Sequence, residues 1–445
     1  MRNLKIPLMI VTALVIVTLS RSGLFQKPDA EAQALLTDAR QVAPTGLGDL
    51  PPAADGIRFL QERIKHNPSD AVSLTMLGQL YLRQARLTGD VANYQRAEAA
   101  LQQALTLLPG YTPAKLALAS TWYAQHNFVE ALELAQQLYQ NDPRRMEALA
   151  IIGDARLALG NYKEAETAYR GLLSSGATPP ALARLAHQAE LHGRPEEALQ
   201  LLQRAAGETL AAGQAKEELA WYLIRLGDLY FNRGQLKKAG EHYAAALRLV
   251  DHYYLALAGL GKVRAAEGQY DEAINLYQQA TAIIPQPELL AALGDLYILT
   301  NRPDQAQRQY DTVEYIGQLA QINQRVYNRQ LALFYADHDL HLAEALALAT
   351  AELDFRRDIY GFDAAAWAYY KNGRLDEAQA TMEQAMQLGT RDAKLFYHAG
   401  MIAQAQGRDS QAKAWLAEAL AINPHFDLLQ ARVAQAALKQ LPGEQ

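Results

Sequence analysis

Residues 254–285 read YLALAGLGKVRAAEGQYDEAINLYQQATAIIP. Leu257, Leu260, Gly261 and Arg264 recur at i, i+3, i+4 and i+7, which is one face of a helix. Gly268 follows, and glycine takes the left-handed conformation that closes a helix. Asp271 and Glu272 then stand in the first turn of a second helix, where the helix dipole favours negative charge. Ala273, Leu276, Tyr277, Ala280 and Ile284 form its apolar stripe. Pro285 stops it, because proline has no backbone donor for the next bond. Small side chains at Gly261, Ala273 and Ala280 let the two helices approach closely. A hairpin of this size cannot bury both its apolar faces alone, so it needs neighbours.

Those neighbours are close copies of it. Taking Gly261 as reference, the equivalent small residues are Gly78, Ala119, Gly153, Ala186, Gly227, Gly261, Gly294, Ala332, Ala366 and Gly400, spaced 41, 34, 33, 41, 34, 33, 38, 34 and 34 apart. The second-helix alanine follows twelve residues later in most copies, at Ala131, Ala165, Ala198, Ala239, Ala273, Ala306, Ala378 and Ala412. Terminal prolines recur at Pro109, Pro143, Pro285 and Pro424. A period of 34 residues is the mark of stacked helix–turn–helix units. The set resembles the tetratricopeptide repeat family, most closely at Leu223, Leu226, Gly227, Tyr230, Ala239, Tyr243 and Ala246, and again at Leu290, Leu293, Gly294, Tyr297, Ala306 and Tyr310. The resemblance implies an all-α fold: an α-solenoid of about ten hairpins in a right-handed superhelix, with a concave groove that binds peptides or proteins.

Departures from the period are informative. The first copy carries seven extra residues, with Arg86-Leu87-Thr88-Gly89-Asp90 expected to lengthen its turn. The fourth carries seven extra around Ala206 to Ala215, and the seventh four around Tyr315 to Gln321. The reading divides the chain into an N-terminal anchor or signal segment (1–25), a linker (26–53), the solenoid (54–424, with a bend near 206–215) and a capping helix and tail (425–445).

Composition narrows the function. Forty-eight acids against 42 bases give a net charge of −6, so there is no basic excess to neutralise phosphates and no nucleic-acid partner is expected. Cysteine is absent, which removes disulfides, thiolate nucleophiles and cysteine-based zinc sites together. At the N-terminus Arg2 and Lys5 precede an apolar run, Ile6 to Leu19, closed by Ser20 and Arg21. Fourteen residues fall short of the roughly 17–25 of a full span, but flanking cations can snorkel. Residues 4–21 are therefore expected to hold the chain in a membrane as a single-pass protein with its repeats extracytoplasmic. The alternative is a signal segment cleaved near Ala30-Glu31-Ala32, giving a secreted or periplasmic adaptor.

No catalytic constellation stands out, and neither enzymatic activity, a cofactor nor a metal is expected; an enzyme with an unrecognised site is the remote alternative. Asp337-His338-Asp339-Leu340-His341 is the one cluster that invites a metal reading, and it reads better as a solvated turn because no third ligand is fixed by spacing. The groove is the stronger candidate. By the resemblance, the residues just after each reference position, three before it and four after it line the concave face. Asp154, Asp228, Asp295 and Asp363 are the acids of that wall, and Tyr123, Phe231, Trp367, Tyr370 and Tyr397 its aromatics. Unpaired acids are costly to bury, so they are expected to face solvent and to suit a segment with basic and apolar side chains. The positions at which some relatives grip a terminal carboxylate, among them Thr75, Leu116 and Ala150, carry no base here. The expected role is a membrane-tethered scaffold for proteins or peptides of the envelope or cell surface.

Overall fold

The structure is a computed structural model that describes residues 53–213, 216–323 and 328–442. Among the described residues there are twenty-two α-helices, one short 3₁₀ turn and no strand. The opening helix α1 (Ala53–His66) packs on the first hairpin, α2 (Ala71–Thr88) and α3 (Ala92–Leu107). Nine hairpins follow: α4 (Thr112–Ala124) with α5 (Phe128–Asn141), α6 (Met146–Ala158) with α7 (Tyr162–Leu172), α8 (Pro179–Leu191) with α9 (Pro195–Ala211), and α10 (Lys216–Asn232) with α11 (Leu236–Leu249). Then come α12 (Tyr254–Ala266) with α13 (Tyr270–Ile283), α14 (Pro287–Leu299) with α15 (Pro303–Asn323), and α16 (Asn328–Asp337) with α17 (Leu342–Glu352). The last are α18 (Ile359–Lys371) with α19 (Leu375–Ala385), and α20 (Ala393–Ala405) with α21 (Asp409–Ile422), closed by α22 (Gln430–Gln440).

Nine of the ten hairpins turn by the same device. Seven residues after the reference position the chain enters the left-handed region, at Gly160, Gly193, Gly234, Gly268, Gly373 and Gly407, and at His126, Asn301 and Asp339 where glycine is replaced. The next amide then donates back across the turn, as Gln269 N does to Arg264 O at 2.8 Å. The first copy departs from this: its left-handed residue is Gly89, because the extra residues lengthen α2. The extra residues of the fourth copy likewise extend α9 and α10. The apolar core runs through that region without a break, from Ala205 and Ala206 to Leu219 and Ala220.

First helices of adjacent hairpins touch one another, as α4 does α6 and α18 does α20, in addition to their own partners. They therefore lie on the inside of the curve. The curve closes far enough for its turns to stack. Arg83 of α2 clamps Glu217 at the start of α10 at 2.7 and 2.9 Å. Arg357 N donates to Ala158 O at 2.9 Å, and the Thr390 hydroxyl to Leu191 O. Asn423 Nδ2 donates to Phe231 O at 2.9 Å, and Arg432 to the Tyr270 hydroxyl at 2.8 Å. The turn of one hairpin thus meets the loop between hairpins several copies further on.

The expected placement as a single-pass membrane protein needs correction. Among the described residues no helix is long and apolar enough to cross a membrane. The run expected to do so, within residues 4–21, lies outside the described residues, as does nearly all of the linker.

Candidate interaction face

The inner face is built on a two-residue signal, a glycine followed by an aspartate. In the three copies that carry this pair, as in the sixth at Gly261 and Tyr277, the tyrosine of the second helix lies against the reference glycine, where there is no room for a side chain. An added Cβ would stand 2.4 Å from Tyr169 at Gly153, 2.7 Å from Tyr243 at Gly227 and 2.3 Å from Tyr310 at Gly294. The hydroxyl of each ring donates to the neighbouring aspartate: Tyr169 to Asp154 at 2.9 Å, Tyr243 to Asp228 at 2.7 Å and Tyr310 to Asp295 at 2.7 Å. Burial first, and the carboxylate second, push these phenols well above their usual ionisation range. The ring fills the hairpin and its polar tip is satisfied, which is what a buried tyrosine requires.

The same aspartates also meet cations of this chain. Arg184 of α8 forks onto Asp154 at 2.7 and 2.9 Å. Arg225 donates to Asp228 at 3.0 Å and to Glu190 at 3.4 Å. His338 presents Nε2 to Asp295 at 2.8 Å and Nδ1 to Phe334 O at 2.7 Å, so both ring nitrogens face acceptors. Burial opposes the imidazolium charge, but these bonds outweigh it and raise the His338 pKa. Asp363 is buried, with His398 Nδ1 at 2.7 Å. The acids expected to look into solvent are thus paired inside the protein, as the cost of burying a lone charge demands.

The aromatics do not form one cluster. Trp367, Tyr370 and Tyr397 come together: Trp367 stacks on Tyr370 at 4.8 Å and on His398 at 4.2 Å, and meets Tyr397 at 5.5 Å. Trp367 and Tyr397 are buried, as is Phe231 in the fifth copy. Tyr123 stands apart, edge-on to Phe128 at 5.4 Å, with its phenol pushed up by burial.

Several residues that organise this face were not read as part of it from the sequence. Asp337 accepts from Trp367 Nε1 at 2.7 Å and from Lys394 Nζ at 3.0 Å, and Lys394 also lies 3.9 Å from Asp427. Lys394 holds Asp337 below the usual carboxylate range against the cost of burial. Burial pushes Asp392 up; it caps α20 and accepts from the Tyr360 hydroxyl at 3.3 Å. Tyr360, Asp392 and Lys394, with Asp363 and Arg329, line a cavity of about 210 Å³ between α16, α18 and α20. The cluster read as a solvated turn is instead packed into this network through Asp337 and His338. Among the described residues no group of three His, Asp or Glu side chains could hold a metal ion.

Three family models, each described as tetratricopeptide repeat, match this chain: one over residues 217–286, one over 264–323, and one over 82–145, 116–182, 151–215 and 364–425. The human protein O-mannosyl-transferase TMTC1 is 27% identical over 222 residues, which is 48% of this chain and 24% of that protein. The chain thus spans about a quarter of the length of this curated relative. Among solved structures, yeast Tom70 aligns at 14% identity with a TM-score of 0.38 over 93% of this chain and 97% of its own. Human IFIT1, in a dimer with PPP-AAAA, aligns at 12% identity with a TM-score of 0.45 over 89% and 95%.

Proposed function

The chain belongs to the tetratricopeptide repeat family, and we propose that it is a non-enzymatic scaffold that binds a segment of another protein along its inner helices. One observation carries this reading: large apolar side chains are exposed on inner helices whose other apolar residues are mostly buried. Trp221 on α10 and Ile298 on α14 are 38% and 46% exposed, and Lys262, on α12 between these helices, is exposed too. Covering such surface is favourable at roughly 25 cal/mol per Å², and a tryptophan is a common anchor of an interface. The partner is an extended or helical segment with apolar anchors at repeat spacing. Asp154, Asp228, Asp295 and Asp363, with Tyr123, Phe231, Trp367, Tyr370 and Tyr397, give this face its shape and charge, while Trp221 and Ile298 make the contacts. The transfer reaction in the name of the human relative is said of that protein, of which this chain covers a quarter.

Crosslinking of the full chain in cells, with and without Trp221→Ala and Ile298→Ala together, tests the reading. Partners captured by the parent are expected to be lost from the variant at an unchanged melting temperature. Undiminished capture would remove the inner face from the account.

A further inference from the structure

The extra residues of the first copy do not stand free. They carry α2 on to Thr88, and the turn that follows lies against the starts of α12 and α14, one winding of the solenoid further on. At Gly89, where φ is 71°, an added Cβ would be 2.8 Å from Gln286 Nε2 and 3.3 Å from the Tyr254 ring. The seam forms an open cleft of about 310 Å³. Arg86 and Tyr94 line it from the first copy and His126 from the second; Tyr254, Gln286, Glu288 and Gln330 line it from the later ones. Gln286 is held toward the Tyr254 hydroxyl at 3.4 Å.

Two opposite charges face this space, and neither has an ion-pair partner among the described residues. Arg86 makes one long bond, from Nε to Leu82 O of its own helix at 3.4 Å. Glu288 is exposed to the water of the cavity beside Gln330, its neighbours hold its carboxyl above the usual range by partial desolvation, and the cations that act on it, Arg329 and Lys262, form no ion pair with it. Arg86 and Glu288 form none with each other. A single ion entering the cavity would satisfy one of them and leave the other uncompensated. A molecule with both charges satisfies both: a guanidinium forks onto a carboxylate, and a carboxylate accepts from an ammonium. The volume lies at the small end of ligand pockets, which run from roughly 300 to 1,000 Å³.

We propose that the seam between α2, α12 and α14 is a binding site for a small zwitterion of amino-acid or dipeptide size. Its carboxylate is held by Arg86, its ammonium by Glu288, and its side chain lies beside Tyr94 and Tyr254. Because the two walls belong to different windings, an occupied site ties the windings together, and the ligand stabilises the wound state.

Thermal melts and calorimetry of the full chain test this with the twenty free amino acids and the alanyl dipeptides, each beside its N-acetyl and C-amide forms. At least one zwitterion is expected to raise the melting temperature, and both of its blocked forms to lose that effect. Arg86→Gln and Glu288→Gln are each expected to weaken the same ligand by about tenfold or more, with the unliganded melt unchanged. Should either variant melt early, Arg86→Lys keeps the charge without the fork, and intermediate affinity is expected. The proposal fails if no free amino acid or alanyl dipeptide binds, if a blocked form binds equally well, or if affinity survives both substitutions.

Discussion

The Tyr243 hydroxyl donates to Asp228 Oδ1 at 2.7 Å, tying the second helix of the fifth hairpin to the first across fifteen residues. Asp228 also takes a bond from Arg225, so its charge is compensated whether or not the tyrosine is present. Tyr243→Phe is therefore expected to cost about 1–2 kcal/mol, since it removes a bond to a charged acceptor without adding a cavity. Asp228→Ala should cost more, because it strands the phenol and leaves Arg225 only its longer bond to Glu190. A double-mutant cycle by urea unfolding checks it; additive losses would mean that the two groups do not stabilise one another.

Gly294→Ala is expected to destabilise by roughly 1–3 kcal/mol, the usual cost of overpacking, because the new methyl group would stand 2.3 Å from the Tyr310 ring. The chain suggests its own remedy. Where the reference residue is alanine, at Ala119, Ala186, Ala332 and Ala366, the position sixteen later holds Ala135, Leu202, Leu348 and Met382 and no aromatic ring. Adding Tyr310→Leu to Gly294→Ala should recover part of the loss. A double variant that melts below the single one would contradict this packing.

His242 is buried against Tyr230, with Nδ1 at Lys238 O, and burial lowers its pKa to about 4. A lowered pKa favours the folded state above the unfolded value of about 6.5. That stability drains as pH falls from there to about 4, at up to about 1.4 kcal/mol per pH unit. His242→Leu should flatten this part of the stability–pH curve, and an unchanged acid limb would assign the loss to other groups.

Asn423 is buried between windings, where its amide donates to Phe231 O and its oxygen accepts from His425 N. Asn423→Ala should cost about 0.5–1.5 kcal/mol, the net worth of one hydrogen bond, because Phe231 O keeps Gly234 N at 2.8 Å while its bond across the windings is lost. Hydrogen exchange should show faster opening at the turn after α10 as well as around residue 423. Loosening confined to residues near 423 would mean that the bond does not hold the windings together.

The hairpin at 254–285 was legible because its periodicity, its turn glycine and its closing proline agree with one another. The glycine–aspartate–tyrosine device was legible too, had the spacing been followed: each Gly-Asp pair of the third, fifth and seventh copies has its tyrosine sixteen residues after the glycine. Reading Asp154, Asp228 and Asp295 as solvent-facing acids missed Arg184, Arg225 and His338, which reach them from elsewhere on the inner face. His338 is 43 residues from Asp295 and sits in a turn that looked solvated. The stacking of windings carried still less signal, because bonds such as Arg357 N to Ala158 O run between backbone groups and depend on no side-chain type.

A linear array of repeats responds to damage locally, since each unit leans only on the units before and after it. The bonds that Ala158, Leu191 and Phe231 accept from Arg357, Thr390 and Asn423 add a second dimension to that lattice. Removing the last hairpin would strip support from the fifth as well as from the ninth. Loss at one end should thus be felt near the middle, and the molecule should melt in fewer, larger steps than an open chain of the same hairpins.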